Sequence, residues 1–168
     1  MFRKSFIAFV LLMVSSGNQA ALFDRGGGMI YDDALDITWL QNANLGGDMN
    51  WDDSVAWADG LSHGGFEDWR LVSMDVNGDE SIVDCNGASE LACRDNELGY
   101  MFFYNLAGSP GDDLVGDQAM FTNIASIHWS DTEYAPNSAL AWGFRFVIGG
   151  VQGGFNRNDD FGAWAVRD

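Results

Sequence analysis

Lysine is almost missing from this chain, with one copy, Lys4, near the start. Of its eight Lys and Arg, Arg3 and Lys4 fall in the first 21 residues, leaving six arginines against 25 acids. No basic stripe exists to neutralise phosphates, which excludes nucleic acid as an expected partner. The net charge of −17 equally disfavours anionic lipid surfaces and sulfated polysaccharides. Histidine is nearly as scarce. His63 and His128 sit apart, in no HExxH or paired-His spacing, so a histidine metal centre is not expected. There is no G-x-S-x-G elbow, and "RGGGM" lacks the Lys-Ser/Thr of a phosphate loop. Only paired carboxylates of the glycoside-cleaving kind stay open, because acids are everywhere and their separation is not legible.

Long apolar runs are also few. The one such run, Phe6 to Val14, follows Arg3 and Lys4 and precedes the small residues Ala20 and Ala21. That order is a secretory signal peptide, expected to be removed as residues 1–21. The run is too short for a permanent membrane span, and no later segment is long and apolar enough for one. The expected location is therefore secreted, periplasmic or cell surface. Residues 22–168 have the length of one domain, with enough chain to bury roughly 70% of the unfolded surface.

Glycine, Trp and Phe are plentiful, and proline is not. Glycine turns joining aromatic-rich segments imply short strands with long ordered loops. "GMIYDDALDITWLQ" alternates as two short strands around a "DDALD" turn. "MNWDDSVAWADGL" is a helix, with Asn50 as N-cap, Asp53 at the capping-box position, and Trp51, Val55 and Ala58 as its buried stripe. "GGFEDWRLVS" is a turn into a strand. "RDNELGYMFFYNLAG" has the spacing of a second helix, capped by Asp95 and stopped by Gly108. From Phe121 onward the pattern is strand-like. The expected class is α+β, two helices on an antiparallel sheet.

Between these elements lies "SMDVNGDESIVDCNGASELACRD". Asp75, Asn77 and Asp79 alternate around Gly78, matching the D-x-[DN]-x-[DN] opening of calcium loops. Glu80 stands where such loops carry glycine, and Asn86 where a closing acid belongs. Asp84 is the candidate substitute, with a backbone carbonyl near Ser81 contributing. Two readings stand: a calcium-stabilised loop of another type, or a polar surface loop of Asx turns. Cys85 and Cys93, the only cysteines, form an even pair in an exported chain and are expected to be bridged. A bridge removes the cysteine nucleophile, and two cysteines alone give too few ligands for zinc.

A second cluster is "HWSDTEYAPNSALAWGFRF". It brings Trp129, Tyr134 and Trp142 close to Asp131, Glu133, Asn137 and Arg145, the combination of rings and polar groups with which sugars are held. Trp129, Glu133, Tyr134, Asn137 and Arg145 are the candidate ligand-binding residues. The alternative is structural, with Trp142, Phe144 and Phe146 on one strand face of the core and Trp129 joining them.

The ordered set "GMIYDDALDITWLQNAN", "MNWDDSVAWADGL", "GGFEDWRLVS", "NELGYMFFYNL", "FTNI", "HWSDTEYAPNSALAWGFRF" and "AWAVRD" resembles the Lcl C-terminal domain family. That family is an exported bacterial domain of largely unknown function, named after a collagen-like adhesin. The resemblance implies a fold related to C-type lectins and formylglycine-generating enzymes, and a role in binding or adhesion. The adhesin's sulfated ligands do not transfer to so acidic a chain. The triplets with which C-type lectins hold sugar through calcium are not matched by "EYAPN" and "WSD".

The expected function is thus a secreted or cell-envelope, non-catalytic recognition domain. Its partner would be a neutral glycan or an extracellular protein, and its loop would be held by calcium and a disulfide. An enzyme of the formylglycine-generating or glycoside-cleaving type and a purely structural envelope module are the alternatives.

Overall fold

The computed structural model describes residues 21–168. All of the expected leader except Ala21 lies outside the described residues. Strands β1 (Leu22–Gly26) and β2 (Met29–Asp32) form an antiparallel hairpin. Gly26, Gly27 and Gly28 all take positive φ in its turn, a run that residues with a Cβ adopt only at a cost. The "DDALD" turn then leads to β3 (Ile37–Leu40), with Ile30 opposite Trp39. Asp32 shapes this turn by accepting the Ala34 and Leu35 amides on Oδ1. The pair of strands expected here is present.

Strand β4 (Asp48–Met49) precedes helix α1 (Trp51–Asp59). The Asn50 side chain accepts the Asp53 amide at 3.0 Å and donates to the Asp53 carboxylate at 2.7 Å, which closes the cap in both directions. Trp51, Ser54 and Ala58 are the buried face, and Val55 is half-buried. Beyond β5 (Arg70–Leu71) come two single-turn helices, α2 (Glu90–Cys93) and α3 (Glu97–Tyr100). The remaining strands are β6 (Gly116–Gln118), β7 (Phe121–Ile124), β8 (Ile127–Glu133), β9 (Leu140–Arg145), β10 (Val151–Asn156), β11 (Phe161–Ala163) and β12 (Ala165–Arg167).

The strands make two five-stranded sheets, β1-β2-β3-β12-β5 and β10-β9-β8-β11-β4, and a separate β6-β7 hairpin. This corrects the expectation of one antiparallel sheet. The chain is mostly β, and β8 pairs with β11 in parallel through Gly162 opposite His128. The second helix also differs. Its cap is Asn96, not Asp95, and after one turn it widens into a π-helical turn over Met101–Asn105. The widened turn carries Phe102 into the core while Asn105 donates to Asp32 at 2.6 Å.

Trp164, the single residue between β11 and β12, carries the chain from one sheet to the other. It is fully buried against Trp39 and Phe121, with ring centroids 5.0 and 5.2 Å away, and its indole donates to the Leu40 carbonyl. His128 lies beside the same ring and is a core residue. Burial pushes its pKa down to about 3, so it is neutral and accepts the Ala125 amide on Nε2. His63 is equally structural, donating from Nε2 to the Gly27 carbonyl at 2.8 Å.

Candidate functional site

The acidic loop after β5 is a chain of side-chain-to-backbone hydrogen bonds. Asp75 accepts the Asp79 amide on Oδ1 and the Glu80 amide on Oδ2. Asn77 also accepts from Asp79, and Asp79 accepts from Ser81. Gly78 and Glu80 both take left-handed φ, 70° and 66°, which bends the backbone around the carboxylates. A third acid joins from across the loop. Asp95 accepts the Val76 amide on its carbonyl and the Asn77 amide on its carboxylate. One oxygen from each of Asp75, Asp79 and Asp95 falls within 4.8 Å of the others.

Asp84 is not in that group and instead closes its own turn by accepting the Asn86 amide. Ser81 contributes its amide to Asp79, as above, while Asn77 stands beside the carboxylates. The sequence pattern makes Asp95 a helix cap, whereas the structure places it in the loop. Its approach to Asp75 depends on the chain returning over some twenty residues, which local spacing does not encode.

The Cys85–Cys93 disulfide is present, with Cα atoms 5.1 Å apart. It packs on α3 at Gly99, where a Cβ would stand 2.6 Å from the Cys85 sulfur. Asn96 ties the loop to the second sheet, donating to the Val83 carbonyl at 2.9 Å and to Gln152 of β10 at 2.8 Å. Glu97 ties it to the first sheet. Its carboxylate, nearly inaccessible, receives both guanidinium nitrogens of Arg70 at 3.0 and 2.7 Å and the Ser73 amide at 2.7 Å. Burial works to lower the Arg70 pKa, but the hydrogen bonds and charge of Glu97 outweigh it and raise it.

Between the loop and the second sheet lies a cleft of about 450 Å³. Asp75, Glu80 and Ile82 line the loop side; Thr132, Glu133, Tyr134 and Trp142 line the sheet side. Tyr134 and Trp142 stand 4.9 Å apart with planes tilted by 55°. Gly154 makes room for this pair, since a Cβ there would lie 2.8 Å from the Tyr134 ring. Glu133 is paired with Arg157 at 3.0 Å. Just beyond Asp75, Asp131 is largely buried, and that burial pushes its pKa up to about 6 against hydrogen bonds from Ser73 and Thr132.

Two of the five residues expected to hold a ligand, Glu133 and Tyr134, therefore share a cleft with Asp75. The others do not. Trp129 is fully buried among Phe155 and Phe161, with its indole donating to the Met49 carbonyl; it is a core residue, which corrects the expectation of a stacking role. Asn137 caps a tight turn by accepting the Ala139 amide. Arg145 lies over the Phe155 ring, 4.9 Å from its centroid, and does not line the cleft. Trp142, a ring of the same cluster that alternation with Phe144 and Phe146 also makes a core candidate, is half-buried and lines the cleft.

A two-sheet, mostly β domain with a stapled polar loop over one sheet is the class that these elements define. The model of the Lcl C-terminal domain matches residues 28–167, and the chain belongs to that family. No curated protein and no solved structure matched the chain. Among the described residues, no helix is long and apolar enough to cross a membrane.

Proposed function

We propose that this chain is an exported, non-catalytic recognition domain that binds a glycan in the cleft between the acidic loop and strands β8 and β9. One observation carries the proposal: Tyr134 and Trp142 form a tilted aromatic wall opposite loop carboxylates, in a concavity of about 450 Å³. Half-buried rings facing polar groups are the surface on which sugars stack and are oriented. A protein partner is the alternative occupant. A glycan and envelope-fraction screen, with and without calcium, tests this. Binding should weaken in Tyr134→Ala, and binding unchanged by that substitution would move the site elsewhere. Export is supported by the leader pattern and the disulfide; mature protein beginning at Ala21 or Leu22 is the expected outcome of N-terminal sequencing. A fold related to C-type lectins is part of the same proposal, resting on the family and on the disulfide-stapled loop.

Calcium belongs to the proposal as the loop's ligand. Asp75, Asp79 and Asp95 offer hard carboxylate oxygens already oriented by backbone amides, a donor set suited to calcium. An ion there would neutralise three crowded acids and stabilise the fold by RT ln(1 + [L]/Kd), about 2.7 kcal/mol at a hundredfold excess over Kd. Chelator should lower the melting temperature, calcium should restore it, and Asp75→Ala with Asp79→Ala should abolish the response. Identical melting of wild type and variant in all conditions would leave the loop an Asx-turn structure only.

A catalytic reading has one observation in its favour, the raised pKa of Asp131 beside the cleft. Release of product from a bound oligosaccharide, lost in Asp131→Asn, would favour it over recognition.

A further inference from the structure

The cleft is rich in carboxylates, from Asp75, Glu80 and Glu133, and holds no cationic side chain among the described residues. Its side-chain donors are the neutral Tyr134 hydroxyl, Trp142 indole and Thr132 hydroxyl. The Thr132 hydroxyl is already committed, accepting the Met74 amide and donating to Asp131. Asp75 spends both oxygens on loop amides, and Glu133 holds Arg157 on one oxygen. Glu80 is different. It makes no side-chain hydrogen bond among the described residues, and its left-handed φ is held by the Asp75 carboxylate at its amide. A non-glycine residue in that region costs free energy, so the loop spends strain to present this carboxylate at the cleft.

Opposite Glu80, the rings of Tyr134 and Trp142 supply flat apolar faces with negative quadrupoles. Aromatic faces and a free carboxylate together favour a cation, and the lack of any cationic side chain in the lining disfavours an anion. We propose that the cleft selects a saccharide bearing free amino groups, with a sugar ring on Tyr134 and Trp142 and its ammonium at Glu80. This rests on the recognition reading above and names the chemistry of the ligand.

The test uses the folded domain and two oligosaccharides that differ at the amino groups, free and charged in one and capped as neutral acetamides in the other: a tetramer of glucosamine and its N-acetylated counterpart. Binding is followed on the Trp142 indole N–H resonance at mildly acidic pH. The glucosamine tetramer should shift that resonance, and the N-acetylated tetramer should bind roughly tenfold or more weakly, as loss of a charge-assisted contact implies. Glu80→Gln should weaken the glucosamine tetramer by a similar factor, and Glu80→Lys should abolish it. Asp59→Asn, an exposed acid outside the cleft, should change nothing, which separates the site from general attraction to an acidic protein. A melting curve shows that each variant is folded. Equal or tighter binding of the N-acetylated tetramer would overturn the ammonium proposal while leaving glycan recognition standing. If neither tetramer moves Trp142, both fall. Hexalysine binding at Trp142 more tightly than the amino sugar would replace the saccharide with a basic peptide. Unchanged affinity in the folded Glu80 variants would also overturn the assignment.

Discussion

The tryptophan core and the loop of residues 75–96 are ordered by different forces. Trp39, Phe121 and Trp164 are at most 1% exposed, and they hold the sheets together by burial and ring packing. Glu80, Val76 and most of their neighbours in the loop are exposed, so burial contributes little there. Carboxylate-to-amide hydrogen bonds, one disulfide and the anchors Asn96 and Glu97 order that segment instead. Hydrophobic packing needs neither a bound ion nor an oxidised thiol pair. A loop held by carboxylates and a sulfur bridge responds to both, and it forms one wall of the cleft.

The comparison can be broken first on the core side. Trp164→Ala should cost about 4 kcal/mol, read as a fall in the denaturant midpoint, because a large ring and an indole hydrogen bond are lost together. A cost near 1 kcal/mol would mean that the junction between the sheets carries less than proposed. Next comes the anchor between the regions. Glu97→Gln leaves Arg70 without its bidentate partner inside the fold, and should cost about 3 kcal/mol. Replacing both cysteines by serine should cost roughly 2.5 kcal/mol by the chain-entropy estimate. It should open residues 79–93 to proteolysis while the core resists; equal sensitivity of both regions would erase the distinction.

The smallest expected effect is a pH dependence. Asp131 has a folded pKa of about 6, above its ordinary 3.8, so folding favours the protonated form. That contribution is fully present below 3.8 and is lost as pH rises through 6. Asp131→Asn should therefore flatten stability across this window and raise it at neutral pH; the shift sets an upper bound of about 3 kcal/mol, reduced by the carboxylate hydrogen bonds with Ser73 and Thr132 that an amide weakens. Unchanged pH dependence of melting would show that Asp131 is not the group responsible.

What was legible in the sequence was local. The Asn50 cap, the "DDALD" turn and the cysteine pair each depend on a few neighbouring residues, and each is present. What was not legible depends on distant pairing. The division into two sheets depends on Trp164 switching the chain between them, and a lone tryptophan carries no such mark. Trp129 is opposite Gly143 and so faces Phe155 and Phe161 on the other side of the sheet from Phe144, whereas Trp142 keeps the Phe144 face but lies where that face opens onto the cleft. Alternation gives the face of a strand, and not what covers that face along its length. Asp95 completes the carboxylate group only because the stapled loop folds back on itself.

The most direct test of the central claim, that loop and sheet form one binding site, is amide hydrogen exchange with the tightest glycan from the screen. Protection should rise together in residues 75–82 and 132–142. Protection on one wall alone, or on a different face of the domain, would contradict the account.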